Sequence, residues 1–411
     1  MRHKDTLATR VRRPKARHIG LLVLAAAIAA GNASPAAAAG PGPFQAAQPQ
    51  DKFSPLLQRV AVFGKDERRP VPQSYRPALE SVGVIRDPAS RSVCTVFCVA
   101  PDVIATASHC LYGTNASEPL ELKGLTVHLH GGTENSRIAG ADLGTPETGV
   151  LAGSVHLNVR PPIDATHDWG LVKLAKPLCT GKALALSRRP VRDVMRMAQD
   201  GRVYQIAYHR DLPKWQPMLD RPCRVQHNFK DADWKTISKD FANPDQLLLH
   251  TCDTGAASSG SPLLVDGPNG PEVVGINVGT YVQSKLIMLN GEVVHRFKSD
   301  EVANTGVNSL AFAAAFDAFA RADLLAGAND VRRLQERLAA RKLYDGPIDG
   351  HFGKASHAAV ALFERASGLP ETGLPSRAVL DALSGESTVA TGAIAPRTAP
   401  RSLRMRARHN H

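Results

Sequence analysis

Three short segments carry the residue types needed to activate a nucleophile. Ser259 lies in Thr254-Gly-Ala-Ala-Ser-Ser-Gly-Ser-Pro262, His109 in Thr106-Ala-Ser-His-Cys110, and Asp168 in His167-Asp-Trp-Gly-Leu-Val-Lys-Leu174. A serine hydroxyl is a weak nucleophile until a base accepts its proton. An imidazole titrates near neutrality, so it can take that proton and return it to a leaving amine. A buried carboxylate holds the imidazole in one tautomer and stabilises its charged form. Together these groups suit acyl transfer through a covalent intermediate. Asp164 competes with Asp168, but no apolar strand follows it directly. His167 reads as a neighbour, and His128, His130 and His250 as structural or exposed.

The surrounding pattern predicts the elements that hold these residues. Val103-Ile-Ala-Thr-Ala107 alternates as a strand and delivers His109 at its end. Leu171 to Leu174 is a short apolar strand just after Asp168. Leu263-Leu-Val265 and Val273-Val-Gly-Ile276 flank Gly267-Pro-Asn-Gly270, a hairpin signal, so Ser259 lies in a loop feeding a hairpin. Short β-rich runs recur from Val82 onward. The pattern is that of an all-β sandwich or barrel, not of alternating strand and helix.

With these motifs in hand, the segment from about Ser81 to Ala322 resembles the trypsin-like serine proteases, nearer the bacterial branch with Gly-Ser-Pro after the nucleophile. The chain order His, Asp, Ser is that of the chymotrypsin-type triad. The separations of 59 and 91 residues fit two β-barrels with the site between them. The resemblance implies His109 as base, Asp168 as orienting acid and Ser259, rather than Ser258 or Ser261, as nucleophile. It implies an oxyanion hole from the backbone N–H groups of Ala257 and Ser259, with no metal or organic cofactor. Gly275-Ile-Asn-Val-Gly279 resembles the strand that walls the substrate cleft. Asp253, six residues before Ser259, has the offset of a specificity aspartate that would pair with a basic side chain. Asn277 stands where glutamate-cutting relatives carry a histidine, which disfavours that specificity. Asn277 and Gly279 join Asp253 as substrate-binding candidates.

Two departures mark the nucleophile loop. Ala257 stands where the family usually has glycine, and alanine resists backbone angles that glycine reaches. Ser258 stands where digestive members carry an aspartate that pairs with a newly cut N-terminus. The site is therefore expected to form without that switch, although a propeptide could still block it.

The chain has 411 residues and 43% hydrophobic content, enough for two domains or more. Arg2 to His18 is basic, Ile19 to Ala30 apolar, and Ala36 to Ala39 offers A-x-A cleavage sites, so residues 1–39 read as a secretory signal. The apolar run is too short to span a membrane comfortably. Arg12-Arg13 lacks a clear twin-arginine consensus, which favours the Sec route. The net charge of +12 is concentrated at the ends: residues 1–39 carry +6 and the tail from Gly385 carries +4. No basic stripe points to nucleic acid. The tail reads as a disordered solubilising end, with attraction to anionic cell-surface polymers as the alternative.

All six cysteines lie beyond the signal, which favours disulfides in an exported protein. By the resemblance, Cys94 pairs with Cys110. Six cysteines allow about fifteen connectivities, so the others stay open, with Cys223–Cys252, and Cys98–Cys179 by elimination, as the arrangement to test. No zinc-ligand spacing is recognised.

Residues 40–76 read as a linker or propeptide and 77–325 as the protease-like domain, closed by a helix within Ser309 to Ala326. Ala326-Gly-Ala328 is a short hinge. Residues 329–384 predict three short helices, with Asp330 and Ser376 as caps for the first and third. This unit resembles the peptidoglycan-binding domain of bacterial wall enzymes through Leu334-Gln335, Leu338, Gly346, Ile348-Asp349-Gly350, Phe352-Gly353, Ala359, Phe363, Gly368-Leu369 and Thr372-Gly373. Glu364 replaces the usual Gln, and Ser356-His357 the frequent Thr-Arg. A change of ligand choice follows if those side chains touch glycan. Asp349 reads as a turn former, and Tyr344 as packing or ligand stacking. Residues 385–411 are the basic tail.

The expectation is thus a multidomain protein: a trypsin-like double β-barrel followed by a three-helix peptidoglycan-binding domain. It would be a periplasmic or secreted serine endopeptidase at the cell wall, acting on proteins or peptides and partnering peptidoglycan, not nucleic acid, with no membrane span in the mature chain. The alternatives are an inactive protease-fold protein that binds the wall and a peptidoglycan hydrolase. The lack of a zinc set or paired carboxylates weighs against the last.

Overall fold

The computed structural model describes residues 61–113, 120–230, 232–289 and 292–385. The signal, the first part of the linker and the basic tail lie outside the described residues. A short strand β1 (Arg69–Pro70) and helix α1 (Arg76–Ser81) lead into the first sheet. Its strands are β2 (Val82–Arg86), β3 (Val93–Ala100), β4 (Val103–Thr106), β5 (Thr126–Leu129), β6 (Asn135–Arg137), β7 (Val150–Ala152) and β8 (Gly170–Lys173). Their order is β6-β5-β2-β3-β4-β8-β7, antiparallel throughout. An antiparallel bridge between Ile138 and Leu174, one residue beyond β6 and β8, joins the first strand of the ladder to the one next to its other end and closes it into a barrel. Closure removes the unpaired edges that a β-sheet otherwise exposes.

The second sheet takes β9 (Ala185–Leu186), β10 (Val203–Tyr208), β11 (Pro217–Asp220), β12 (Leu247–His250), β13 (Pro262–Gly267), β14 (Gly270–Leu289) and β15 (Glu292–Asn308). The order is β1-β11-β10-β13-β14-β15-β12, with β9 beside β14. Closure comes from the segment after β11: Val225 bridges His250, and the Cys223–Cys252 disulfide staples the same place. The expected hairpin is present, with Gly267 paired to Gly270. Each barrel is filled by alternating inward residues: Val96, Ile104, Val127 and Leu171 in the first, Ile206, Leu249, Leu264 and Ile276 in the second, all buried.

The N-terminal boundary differs from expectation. Residues from Ala61 to Arg76 read as linker, yet β1 pairs with β11 and Ala61 exchanges two backbone hydrogen bonds with Thr254. This stretch belongs to the second barrel, because its backbone supplies partners that an edge would otherwise lack.

Beyond the barrels, one-turn helices α2 (His109–Tyr112) and α4 (Trp234–Ile237) and helix α3 (Val191–Gln199) decorate the loops, and α5 (Leu310–Arg321) closes the double barrel. Helices α6 (Ala328–Ala340), α7 (Lys354–Ala366) and α8 (Arg377–Ser384) then enclose their own core of Val331, Leu334, Leu338, Val360, Phe363 and Leu380. Ser376 caps α8 as expected, accepting the Val379 N–H. Asp330 does not cap α6. Gly327 holds that position, and Asp330 sits in the first turn, where it pairs with Arg333 and Arg377. The expected hinge is tied down: Leu325 N–H donates to Pro375 O at 2.8 Å, and Thr145 Oγ1 to Ala326 O at 2.5 Å. Among the described residues no helix is long and apolar enough to cross a membrane.

Candidate active site

Strand β4 ends at Thr106, and the chain turns at once into α2, so His109 stands at the rim of the first barrel. Strand β8 lies beside β4 and is preceded by Asp168, which brings the two side chains together although 59 residues separate them. Asp168 Oδ2 lies 2.7 Å from His109 Nδ1. Its Oδ1 accepts the His109 backbone N–H and the Ser108 hydroxyl, each at 3.0 Å. A carboxylate only accepts, so Nδ1 carries the hydrogen and Nε2 keeps its lone pair. Side-chain exposures of 10% for His109 and 7% for Asp168 make this a sheltered pair. Asp164 binds the His167 ring instead, which removes it as a competitor. Ser108 is a partner that the sequence reading missed; its place beside the histidine was the available signal.

The loop before β13 presents Ser259. Of its three serines, Ser258 and Ser261 are 2% and 0% exposed, and Ser259 alone is partly open. Ser261 Oγ accepts from Gln205 Nε2 at 2.8 Å. Gly260 explains the Gly-Ser-Pro motif locally. Its φ is +81°, and a Cβ there would lie 2.1 Å from Thr106 Oγ1 and 2.3 Å from Thr95 O. The missing side chain lets the loop press against the end of β4, three residues before His109. From the adjacent strand β3, Thr95 N–H also holds the loop, donating to Ser259 O at 2.9 Å and Ala257 O at 3.0 Å. Among the described residues, no hydrogen bond joins Ser259 Oγ to His109. Such bonds often tighten only when substrate binds.

Ala257 adopts φ +81°, the left-handed region that the usual glycine enters freely. Its N–H and that of Ser259 have no acceptor among the described residues. Two neighbouring unpaired backbone donors beside a partly open hydroxyl are what a developing oxyanion requires.

Asp253 departs from its expected role. It is 3% exposed, and its two oxygens accept backbone N–H groups from the N-terminal stretch, Phe63 at 2.8 Å and Glu67 at 2.9 Å. Burial pushes its carboxyl up. The oxygens are spent inside the protein, so they do not await a basic side chain. Asp220 lies beside it, accepts the Asp253 N–H, and is pushed up to about 7 by burial. Asn277, also expected to touch substrate, is 2% exposed and faces inward to Ser258 and His250. Gly279 lies on β14 opposite Thr305, partly open, as a cleft wall needs.

The expected Cys94–Cys110 disulfide is present, and the pairings left open are Cys98–Cys179 and Cys223–Cys252. The first braces the turn that carries His109. The third ties the segment after β11 to the loop before Ser259. Two clusters with metal-binding geometry, around His109 and around Asp220, draw their sulfurs from these disulfides and so offer no thiolate.

In the helical domain, Gln335 organises the Ile348-Asp349-Gly350 turn. Its Oε1 accepts Gly350 N–H at 2.9 Å, and its Nε2 donates to His351 O at 2.9 Å and Asp349 Oδ1 at 3.1 Å. Tyr344 is packing: its hydroxyl donates to Pro347 O at 2.7 Å. Glu364, 3% exposed, accepts from Thr372 N and Oγ1 and from Gly373 N, so this departure braces a turn and does not reach a ligand.

Residues 327–383 match the family model of a peptidoglycan-binding domain, and the chain carries that domain at its C-terminal side. A solved structure of a Glu endopeptidase in complex with MPD is similar at TM-score 0.39 and 17% identity, over 63% of this chain and 97% of that one. No curated protein matches the sequence.

Proposed function

We propose that the chain is an exported serine endopeptidase held at the cell wall by its peptidoglycan-binding domain. The observation that carries this reading is the sheltered His109–Asp168 pair beside a loop that offers one partly open serine and two N–H groups without an acceptor among the described residues. Ser259 Oγ attacks the peptide carbonyl while its proton passes to His109 Nε2. The N–H groups of Ala257 and Ser259 hold the oxyanion, each worth about 3 kcal/mol. Collapse breaks the C–N bond, and His109 returns the proton to the leaving amine. Water, activated by His109, then hydrolyses the acyl-enzyme and regenerates Ser259. Asp168 keeps the imidazole in register throughout. Three disulfides and a wall-binding module are consistent with work outside the cytoplasm. Gly279 would border the substrate backbone. A basic pocket at Asp253 is not part of the proposal.

An inactive wall-binding protein is the second reading, favoured by the alanine at φ +81°. Incubation of the mature chain with an unfolded protein, alone and bound to sedimented peptidoglycan, separates the two. Cleavage that is lost in Ser259→Ala and follows the protein into the pellet supports the proposal. Pelleting without cleavage supports the alternative.

A further inference from the structure

A peptide group is planar and trans, so its C=O and N–H point in opposite directions. Holding one aims the other. The Ala256–Ala257 peptide is held by its carbonyl, which accepts the Arg210 N–H at 2.7 Å. The Ser258–Ser259 peptide is held in the same way, its Ser258 carbonyl accepting from Asn277 Nδ2 at 3.1 Å and from the Ser261 N–H at 3.1 Å. The N–H groups of these two peptides are the unpaired donors of the candidate oxyanion hole. Each is therefore aimed from behind, one by backbone alone and the other by the local Ser261 turn together with a side chain that reaches in from β14.

The orientation of the Asn277 side chain is itself specified. His250 Nδ1 accepts the Cys252 N–H at 3.3 Å, so that nitrogen carries no hydrogen. Nε2 must then carry it and donate to Asn277 Oδ1, 3.2 Å away. The amide is left with Nδ2 facing Ser258, where it also lies 3.3 Å from Oγ. The Asn277 backbone clamps the same loop, its carbonyl accepting Gly260 N–H at 2.8 Å and its N–H donating to Ser261 O at 2.9 Å. Full burial of His250 keeps the ring neutral, with its pKa lowered to about 3. The bonds run in one direction, from Cys252 N–H through His250 and Asn277 to the Ser258 carbonyl.

The geometry points to Asn277 as a positioning residue that aims the Ser259 N–H at the oxyanion, with His250 setting the orientation of its amide. Ser258 occupies the place of the aspartate that elsewhere needs a new N-terminus. Here a neutral amide holds the loop and needs no such cut. The inference rests on Ser259 being the nucleophile.

The test is turnover per active site, with sites counted by fluorophosphonate labelling, in the wild type, Asn277→Ala and the nearly isosteric Asn277→Asp, which lacks the donor. Affinity for a peptidyl boronic acid, whose serine adduct puts an oxygen in the oxyanion position, is read in parallel. Both variants are expected to lose about 10²-fold in kcat with KM little changed, and to bind the boronate more weakly by a similar factor. Asn308→Ala is the control for structural damage. It removes buried amide bonds to Arg189 O and Val274 O in the same barrel, and should lower Tm while leaving turnover per site intact. The Asp variant carries the reading if the Ala variant does not accumulate. Wild-type turnover per site in the Asn277 variants, or a rise in KM with kcat held, overturns the inference. A wild type that takes no label overturns the nucleophile assignment instead, and this inference with it.

Discussion

The two barrels hold their shares of the candidate site by different physics. The first uses one buried charge: Asp168 gathers three donors, from His109 Nδ1, His109 N–H and Ser108 Oγ. The second holds the Ser259 loop mainly through neutral groups, namely Asn277, His250 and backbone amides. Its buried acids, Asp220 and Asp253, bind backbone N–H and not the reacting centre. The difference follows from the task. An imidazole that becomes cationic gains from a nearby negative charge. A loop that must aim N–H groups at an anion needs direction, and a carboxylate close behind it would oppose the charge that forms.

The largest effect should come from breaking the charged side of this comparison. Asp168→Asn keeps the shape but can offer Nδ1 a donor, which favours the wrong tautomer. It is expected to lower kcat by about 10⁴-fold at neutral pH, with labelled sites counted as the reference. A loss of under about tenfold contradicts the assigned role.

Next is the pH dependence of stability in the second barrel. The Asp220 carboxyl, pushed up to about 7, keeps its proton in the native state while the unfolded chain releases it near 4. The unfolded state then binds fewer protons, so this group's contribution falls as pH rises between those values. Asp220→Asn keeps an acceptor for the Asp253 N–H and removes the titration. Its Tm should match the wild type near pH 4 and exceed it by a few degrees above about pH 7. His209 and His250, both lowered to about 3 by burial, act in the opposite sense. They stay neutral while the unfolded chain takes up protons below about 6.5, so stability is lost as pH falls. That acid limb should survive in Asp220→Asn. A Tm difference independent of pH contradicts the account.

The smallest effect concerns Ala257. A non-glycine residue in the left-handed region costs about 1 kcal/mol, so Ala257→Gly should raise unfolding stability by roughly that amount. Turnover should be unchanged or modestly higher, because the alanine already holds the angle that its N–H requires. Denaturant titration of both proteins reads the difference, and a destabilised glycine variant sinks the strain argument.

What could be read from the sequence was what lies in contiguous runs. His109, Asp168 and Ser259 each sit in a short motif, the hairpin at 267–270 carries its own turn signal, and α6 to α8 follow helical spacing. The fate of Asp253 had no local sign. Its offset from Ser259 suggested a substrate contact, yet its partners Phe63 and Glu67 are 190 and 186 residues away. The N-terminal stretch looked like linker for the same reason, since its partners are β11 and Thr254. Asp330 looks like a cap because a helix start favours an acid nearby, but it sits within the first turn, where Arg333 and, from α8, Arg377 pair with it. Asn277 was placed on the right strand and read as facing substrate. Its inward partners, His250 on another strand and Ser258 in the nucleophile loop, are distant in sequence, and that packing is not written in any one segment.

The central claim is that Ser259 is an activated nucleophile. The direct measurement is mass spectrometry of the mature chain after exposure to a fluorophosphonate probe, beside Ser259→Ala. The account predicts one adduct per chain, mapped to Ser259, and none on the variant. No adduct on oxidised, folded wild type, or equal labelling of both proteins, contradicts it.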